Sequence, residues 1–300
     1  MSSPSSPVLP VFPVSSVSSL SSDNVALHTA ALNVEEIDFD RRFGGIARLY
    51  GAAGLARFRM AHVCVIGVGG VGSWAIEALA RSAVGHLTMI DLDNLAESNV
   101  NRQIHALTDT LGQAKVTALA ERINQINPYC QVTEVEDFVT ADNLEEMLGG
   151  KHFDYVLDAI DNVRAKTALI AYCRDHQLRL ITIGSAGGQV DPTRIEVRDL
   201  ARTEQEPLLA KVRKLLRSEH RFPRGEKSKF GIDAVFSTEP LRLPMNEEVC
   251  AVGGAEVPLA STSVTGLNCA GYGSAVVVTA SFGLVAAATI LRKLAADADL

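Results

Sequence analysis

The chain has 300 residues, 47% of them hydrophobic and 21% charged, which is ample for one large or two modest cores and excludes a disordered polymer. Its 28 Lys and Arg against 35 Asp and Glu leave a formal charge of −7, which argues against a general nucleic-acid binder because affinity for polyphosphate needs clustered positive charge. The five cysteines (Cys64, Cys130, Cys173, Cys250, Cys269) are widely spaced and form no C-x-x-C pair, so no zinc knuckle, redox dithiol or disulfide framework is expected.

Residues 1–34 hold ten serines in the first 22 positions, prolines at 4, 7, 10 and 13, and no Lys or Arg. This reads as a disordered tail that lacks the features of a secretory or transit signal, and cytosol is the expected compartment. One domain is expected over 35–300. It opens on a compact motif, Asp40-Arg41-Arg42-Phe43-Gly44-Gly45 through Arg48 to Gly51, and a helical stretch to Arg59. Val63-Cys64-Val65-Ile66 then reads as a buried strand, Gly67-Val68-Gly69-Gly70-Val71-Gly72 as a glycine turn, and 73–82 as a helix by its apolar spacing. The next strand, 87–90, ends on Asp91 and Asp93. Further strands are expected at 132–135, 155–158, 179–183 and 194–197, with helices around 113–126, 142–148 and 162–176. Alternation of this kind predicts an α/β fold, a doubly wound, mostly parallel Rossmann-like sheet with its ligand site at the C-terminal strand ends.

Two later segments form a C-terminal extension. Between 211 and 229, Lys211, Arg213, Lys214, Arg217, Arg221, Arg224, Lys227 and Lys229 stand against Glu219 and Glu226, a local net of +6. From 257 to 291 there is no charge, and 273–291 is almost wholly small or apolar. That length would span a bilayer, but a helix buried in the core or in a dimer interface has the same composition; the buried helix is the favoured expectation and membrane association the alternative.

Gly67, Gly69, Gly70 and Gly72 let the backbone approach a phosphate, and the following helix aims free N–H groups at it. Asp91, about twenty residues on, suits ribose hydroxyls. NAD and ATP both remain open at this point. The segment that follows separates them: Asp93, Asn99, Arg102 and Gln103, then Lys115, are idle in a dehydrogenase but suit an enzyme that cleaves the α–β phosphate bond, where charge accumulates on phosphorus and on departing pyrophosphate. Asp158 and Asp161-Asn162 close a strand with carboxylates that can hold Mg²⁺ bridging phosphate oxygens, or can cap the next helix.

The motifs at 40–51, 67–73, 91–93, 99–103, Lys115 and 158–162 resemble the adenylation core of the ubiquitin-activating-enzyme-like superfamily, which includes ThiF, MoeB and HesA. Arg41 to Gly45, Asn101 to Leu107, Gln125 to Pro128, Asp137 to Thr140 and Val235 to Glu239 resemble more narrowly its tRNA threonylcarbamoyladenosine dehydratase branch. The resemblance runs from about residue 40 to the C-terminus. It implies ATP-dependent cyclisation of the threonylcarbamoyl group in tRNA through adenylylation of its carboxylate. It further implies that Gly67, Gly69, Gly70 and Gly72 line the phosphates and that Asp91 and Asp93 sit at the ribose side. Asn99, Arg102 and Lys115 would meet the phosphates, Asp161 with Asn162 would support Mg²⁺ or phosphate geometry, and Arg42 or Arg48 would act from the partner subunit of a homodimer. Arg102, Lys115, Asp161 and Arg42 are the expected catalytic set, ATP and Mg²⁺ the cofactors, and tRNA on the 211–229 cations the partner. A sulfur-relay role for Cys250, with a cysteine desulfurase or sulfur acceptor as partner, is a lesser expectation. The competing functions are adenylylation of a ubiquitin-like sulfur carrier, a nicotinamide-dependent oxidoreductase, and a nucleotide-sensing scaffold.

Overall fold

The computed structural model describes residues 37–225, 227–242 and 272–299. The expected tail over 1–34, Glu226 of the basic run, Cys250 and Cys269 lie outside the described residues. From Phe39 onward the chain forms one compact unit.

Short β-branched and aliphatic runs make the strands β1 (His62–Ile66), β2 (His86–Ile90), β3 (Gln131–Val135), β4 (Tyr155–Asp158), β5 (Leu180–Ile183), β6 (Ile195–Asp199) and β7 (Asp233–Ser237). They pair in the order β3-β2-β1-β4-β5-β7-β6, all parallel except β6 against β7. The inner strands are buried on both faces, and Val63 and Val65 point to one core while Cys64 and Ile66 point to the other. The two edges are polar instead: β3 reads Gln-Val-Thr-Glu-Val and β6 reads Ile-Glu-Val-Arg-Asp, and charge of this kind discourages edge-to-edge pairing. β7 is absent from the expected set. Its five residues are isolated behind the 211–232 excursion, so no alternating strand and helix pattern announces it.

The helices are α1 (Phe39–Met60), α2 (Gly72–Arg81), α3 (Lys115–Ile126), α4 (Leu144–Leu148), α5 (Val163–Asp175), α6 (Pro207–Glu219) and α7 (Val276–Ala296). α1 is interrupted at Gly51, whose φ of 78° suits glycine. α2, α3 and α7 cover one face of the sheet, and α4, α5 and α6 the other. α7 is long and apolar enough to cross a membrane, but Val278, Phe282, Ala286, Ala287, Ile290 and Leu294 are buried in the first core. Gly283 is where it meets α2: a Cβ there would stand 2.4 Å from the Val71 carbonyl oxygen. One face of α7 is thus buried, in large part on α2, as the favoured expectation had it, while Val276, Val277 and Leu284 remain exposed.

Strand order reverses between β1, which leads outward to β2 and β3, and β4, which leads to β5. Ligands in doubly wound folds bind at this crevice, beyond the carboxyl ends of the strands. Gly67 follows β1 and Ala159 follows β4, so the sheet topology delivers the glycine turn and the second acidic motif to one place.

Candidate active site

A cavity of about 840 Å³ opens at that crevice. Gly67, Gly69, Gly70, Gly72, Asp91, Asp93, Asn99, Arg102, Lys115, Asp161 and Asn162 all line it, so every residue expected to meet nucleotide converges on a single wall system. Two of these glycines are sterically required. Gly67 has φ +88°, and a Cβ on it would lie 2.9 Å from the Ala159 carbonyl oxygen; a Cβ on Gly72 would lie 1.9 Å from the Gly67 carbonyl oxygen. α2 begins at Gly72 with no side-chain cap; Ser73 N donates to the Gly69 carbonyl at 3.1 Å, and the positive end of the helix faces the glycine turn.

Asp91 carries out two tasks at the end of β2. One carboxylate oxygen accepts from Val68 N at 2.6 Å and fixes the glycine turn, and the other accepts from Asp93 N at 2.9 Å. Burial raises its carboxyl above the usual range, against the opposing pull of Lys115. Lys115 opens α3 and points back to this strand end, with Nζ 2.6 Å from Asp93 Oδ2 and 3.8 Å from Asp91 Oδ1. Its side chain is 6% exposed whereas that of Asp93 is 54% exposed, so a buried cation is held by a partner that solvent or ligand can replace. Arg102 lies over Gly70, where a Cβ would come within 3.1 Å of Arg102 Cγ. The guanidinium donates to the Ser98 carbonyl at 2.6 Å and to Asn101 Oδ1 at 2.9 Å, and half-burial lowers its pKa. Trp74 Nε1 donates to the Arg102 carbonyl at 2.9 Å, so the one tryptophan is wired to the phosphate side of the cavity.

The second acidic motif divides. Asp158 is sealed: Lys166 Nζ lies 2.8 Å from Asp158 Oδ2, Thr182 Oγ1 donates to the same oxygen at 2.7 Å, and both charged side chains are 0% exposed. It cannot share a metal with Asp161, which corrects the expectation of a carboxylate pair. Asp161 is exposed on the cavity wall. Asn162 caps α5, with Oδ1 accepting from Arg164 N and Ala165 N at 3.0 and 3.1 Å, so that oxygen is committed to the fold.

Arg42 does not reach the cavity of its own chain. It lies on α1 and donates to the carbonyls of Gln125 and Ile126 at 3.1 and 2.8 Å; Arg48 is exposed on the same helix. In the basic run, Lys211, Lys214, Arg221, Arg224, Lys227 and Lys229 are exposed. Arg213 and Arg217 are half-buried: Arg213 donates to Thr203 Oγ1 and Arg217 lies 5.1 Å from the Phe230 ring centroid. These two brace α6 and are less accessible than the other six cations of the run. Sequence reasoning missed the wall from Gly184 to Gly187, which also lines the cavity. Its signal was a second glycine cluster, Gly184-Ser185-Ala186-Gly187-Gly188, directly after a strand.

The ThiF family profile matches residues 41–299. The chain is 50% identical over 258 residues to the tRNA threonylcarbamoyladenosine dehydratase of Haemophilus influenzae, covering 86% of this chain and 94% of that one. It is 52% identical over 261 residues to the Escherichia coli K12 protein of the same name, covering 86% and 95%. The crystal structure of the E. coli tRNA N6-threonylcarbamoyladenosine dehydratase in complex with ATP superposes with a TM-score of 0.76 at 49% identity, over 87% of this chain and 96% of that one. A complex of that enzyme with AMP gives the same score. With a glycine turn, buried lysine and strand-end acid arranged on this sheet, and the profile spanning nearly all of the compact unit, the chain belongs to the ThiF family.

Proposed function

We propose that this chain is an ATP-dependent tRNA threonylcarbamoyladenosine dehydratase that adenylylates the threonyl carboxylate of the modified nucleoside and releases the ring-closed product. The observation that carries this reading is the convergence of the glycine turn, Arg102, Lys115 and Asp161 on one cavity, in a chain half-identical to two enzymes of that name along almost their full length.

A carboxylate is a poor electrophile until one oxygen becomes part of a leaving group. Its oxygen attacks the α-phosphorus and pyrophosphate departs; an internal nucleophile of the same nucleoside then attacks the carbonyl carbon, a proton is lost and AMP leaves with the carboxylate oxygen. Ring closure within one held nucleoside gains from proximity. Lys115 and Arg102 stabilise charge on the phosphates and on departing pyrophosphate, with Asp93 holding Lys115 in place until nucleotide arrives. Asp91 fixes the turn and offers its remaining lone pairs to ribose.

Mg²⁺ is commonly held by one or two carboxylates together with substrate phosphates. Asp161, exposed on the cavity wall, fits that role singly. Mg²⁺ there would neutralise phosphate charge.

tRNA fits the outer face of α6. This helix starts in the cavity wall at Leu208 and extends about 20 Å at 1.5 Å per residue, carrying exposed Lys211 and Lys214 toward the basic loop that ends at Lys229. Arg42 or Arg48, outside its own cavity, is the candidate for insertion into the partner's site in a homodimer. A sulfur-transfer partner finds less support: Cys64, Cys130 and Cys173 are buried and burial pushes their thiols up, and Cys250 lies outside the described residues. The reading places the enzyme in the cytosol with its RNA.

The test is incubation of the protein with ATP, Mg²⁺ and threonylcarbamoylated tRNA, followed by nucleoside digestion and mass spectrometry. Loss of one water from the modified nucleoside is expected. An unchanged nucleoside in the presence of ATP binding would overturn the reading, and pyrophosphate exchange stimulated by a ubiquitin-like carrier instead of tRNA would replace it.

A further inference from the structure

Helix α6 begins on a glutamate. Ser, Thr, Asp and Asn are the usual N-caps, because a short side chain returns to the first free N–H groups. Glu206 performs that task, accepting from Leu208 N at 3.3 Å and from Leu209 N, but its extra methylene also lets it reach another element. Oε1, the oxygen that meets Leu208 N, accepts from Ser185 N at 2.9 Å. Ser185 belongs to the Gly184–Gly187 wall of the cavity, and Leu208 lines the same cavity. One carboxylate therefore joins the wall after β5 to the first turn of the basic helix.

The surroundings are built for this link. Glu206 is buried at 3% exposure. Gly184 makes room for it, since a Cβ there would fall 2.9 Å from Glu206 Cγ. Burial raises the carboxyl pKa, while the three N–H donors and the positive field of Lys166 favour the ionised form; Arg213, two turns along α6, also feels the carboxylate. Lys166 is itself fixed by Asp158 and Thr182 beneath the Asp161 wall.

We propose that Glu206 is a positioning residue: it locks the Gly184–Gly187 wall to the N-terminus of α6, so that RNA seated on the outer face of α6 and nucleotide seated in the cavity meet in one fixed register. This rests on the tRNA reading above. The RNA and the nucleotide contact other residues, and Glu206 touches neither; its effect is on how the two bound molecules face each other.

Glu206→Asp separates the two tasks, because aspartate is a good N-cap but is one methylene short of Ser185. Thermal unfolding, ATP affinity, tRNA affinity and single-turnover formation of dehydrated nucleoside are measured on the full chain. The expected result is ATP and tRNA affinities within twofold of the parent, with the single-turnover rate at saturating ATP and tRNA at least 10-fold lower. Glu206→Gln, which keeps the reach but replaces one acceptor oxygen with an amide, is expected to fall between the two. A Glu206→Asp rate within twofold of the parent overturns the proposal, as does a rate loss matched by an equal loss of ATP affinity. Should Glu206→Asp fail to fold, the Glu206→Gln rate decides on the same criteria. Failure of the parent chain itself to dehydrate the tRNA would instead overturn the proposed function, and this proposal with it.

Discussion

Lys115 and Lys166 make nearly the same bond at neighbouring places in the fold. Each is a buried lysine reaching an aspartate at or just past the end of a strand that flanks β1, at 2.6 Å to Asp93 and 2.8 Å to Asp158. The difference lies on the far side of the carboxylate. Asp93 is 54% exposed and faces the cavity, whereas Asp158 is fully enclosed with Thr182 and Lys166. In the proposed reading one pair holds a cation ready for an incoming anion, while the other ties the end of β4 to β5 and α5. Residue type and strand-end position do not assign function in this fold; the openness of the partner does.

The largest effect expected from this contrast is on activity. Lys115→Ala should lower AMP formation by about 10²–10³-fold, the scale for removing one preorganised charge-stabilising donor, with a smaller loss of stability than in the sealed pair because Asp93 is half exposed. Lys166→Met should show the reverse balance. It strands the Asp158 charge in the core and should cost about 3–5 kcal/mol of stability, with much of the loss recovered when Asp158→Asn is added. Denaturant melts and turnover measured on both variants decide the matter; equal activity loss at equal stability would erase the distinction.

A smaller effect sharpens the contrast between exposed and bracing cations of the basic segment. Reversing Lys211 and Lys214 to glutamate should make the salt dependence of tRNA binding shallower by about 2 in log–log slope and leave ATP affinity within twofold. Equivalent changes at Arg213 and Arg217 should first lower the melting temperature, because those side chains hold Thr203 and cover Phe230. An unchanged salt slope in the lysine variant would remove α6 as the RNA face.

The smallest effect concerns a third buried group near Lys115. Among the described residues neither ring nitrogen of His105 has a hydrogen-bond partner, and burial, with Lys115 and Arg122 nearby, lowers its pKa to about 3. The folded state therefore keeps the imidazole neutral while the unfolded chain protonates it near its ordinary value of about 6.5. Stability present at neutral pH is lost as pH falls from about 6.5 toward 3, since the unfolded state then binds more protons. His105→Leu should flatten that acid limb by about 1–2 kcal/mol, read as the difference between urea midpoints at neutral and mildly acidic pH. An acid limb as steep as the parent's would assign the loss to other groups, with His62 first: burial and the stacked His86 lower its pKa to about 4.

Local sequence carried the nucleotide half of the molecule. The glycine turn, the acids after β2 and Lys115 are contiguous motifs whose spacing already implies strand, turn and helix, and the cavity gathers all of them. The other half depends on contacts distant in sequence. Asp158 and Asp161 are three residues apart and chemically alike, and only the packing of Lys166 and Thr182 tells the sealed one from the open one. Glu206 meets Ser185 across 21 residues, and β7 inserts between β5 and β6 from beyond a long excursion. For α7 the sequence favours a core helix but keeps a membrane span as the alternative, because composition records apolarity and not what covers it; the contact of Gly283 with Val71 shows what covers it.

Adenylylation of the substrate carboxylate is the central claim, and it fixes the fate of one oxygen atom. The direct measurement is single turnover with threonylcarbamoylated tRNA whose threonyl carboxylate carries a heavy-oxygen label, followed by mass analysis of the released nucleotide. The account predicts one labelled oxygen in AMP for each nucleoside dehydrated. Unlabelled AMP, or ADP in its place, would contradict it.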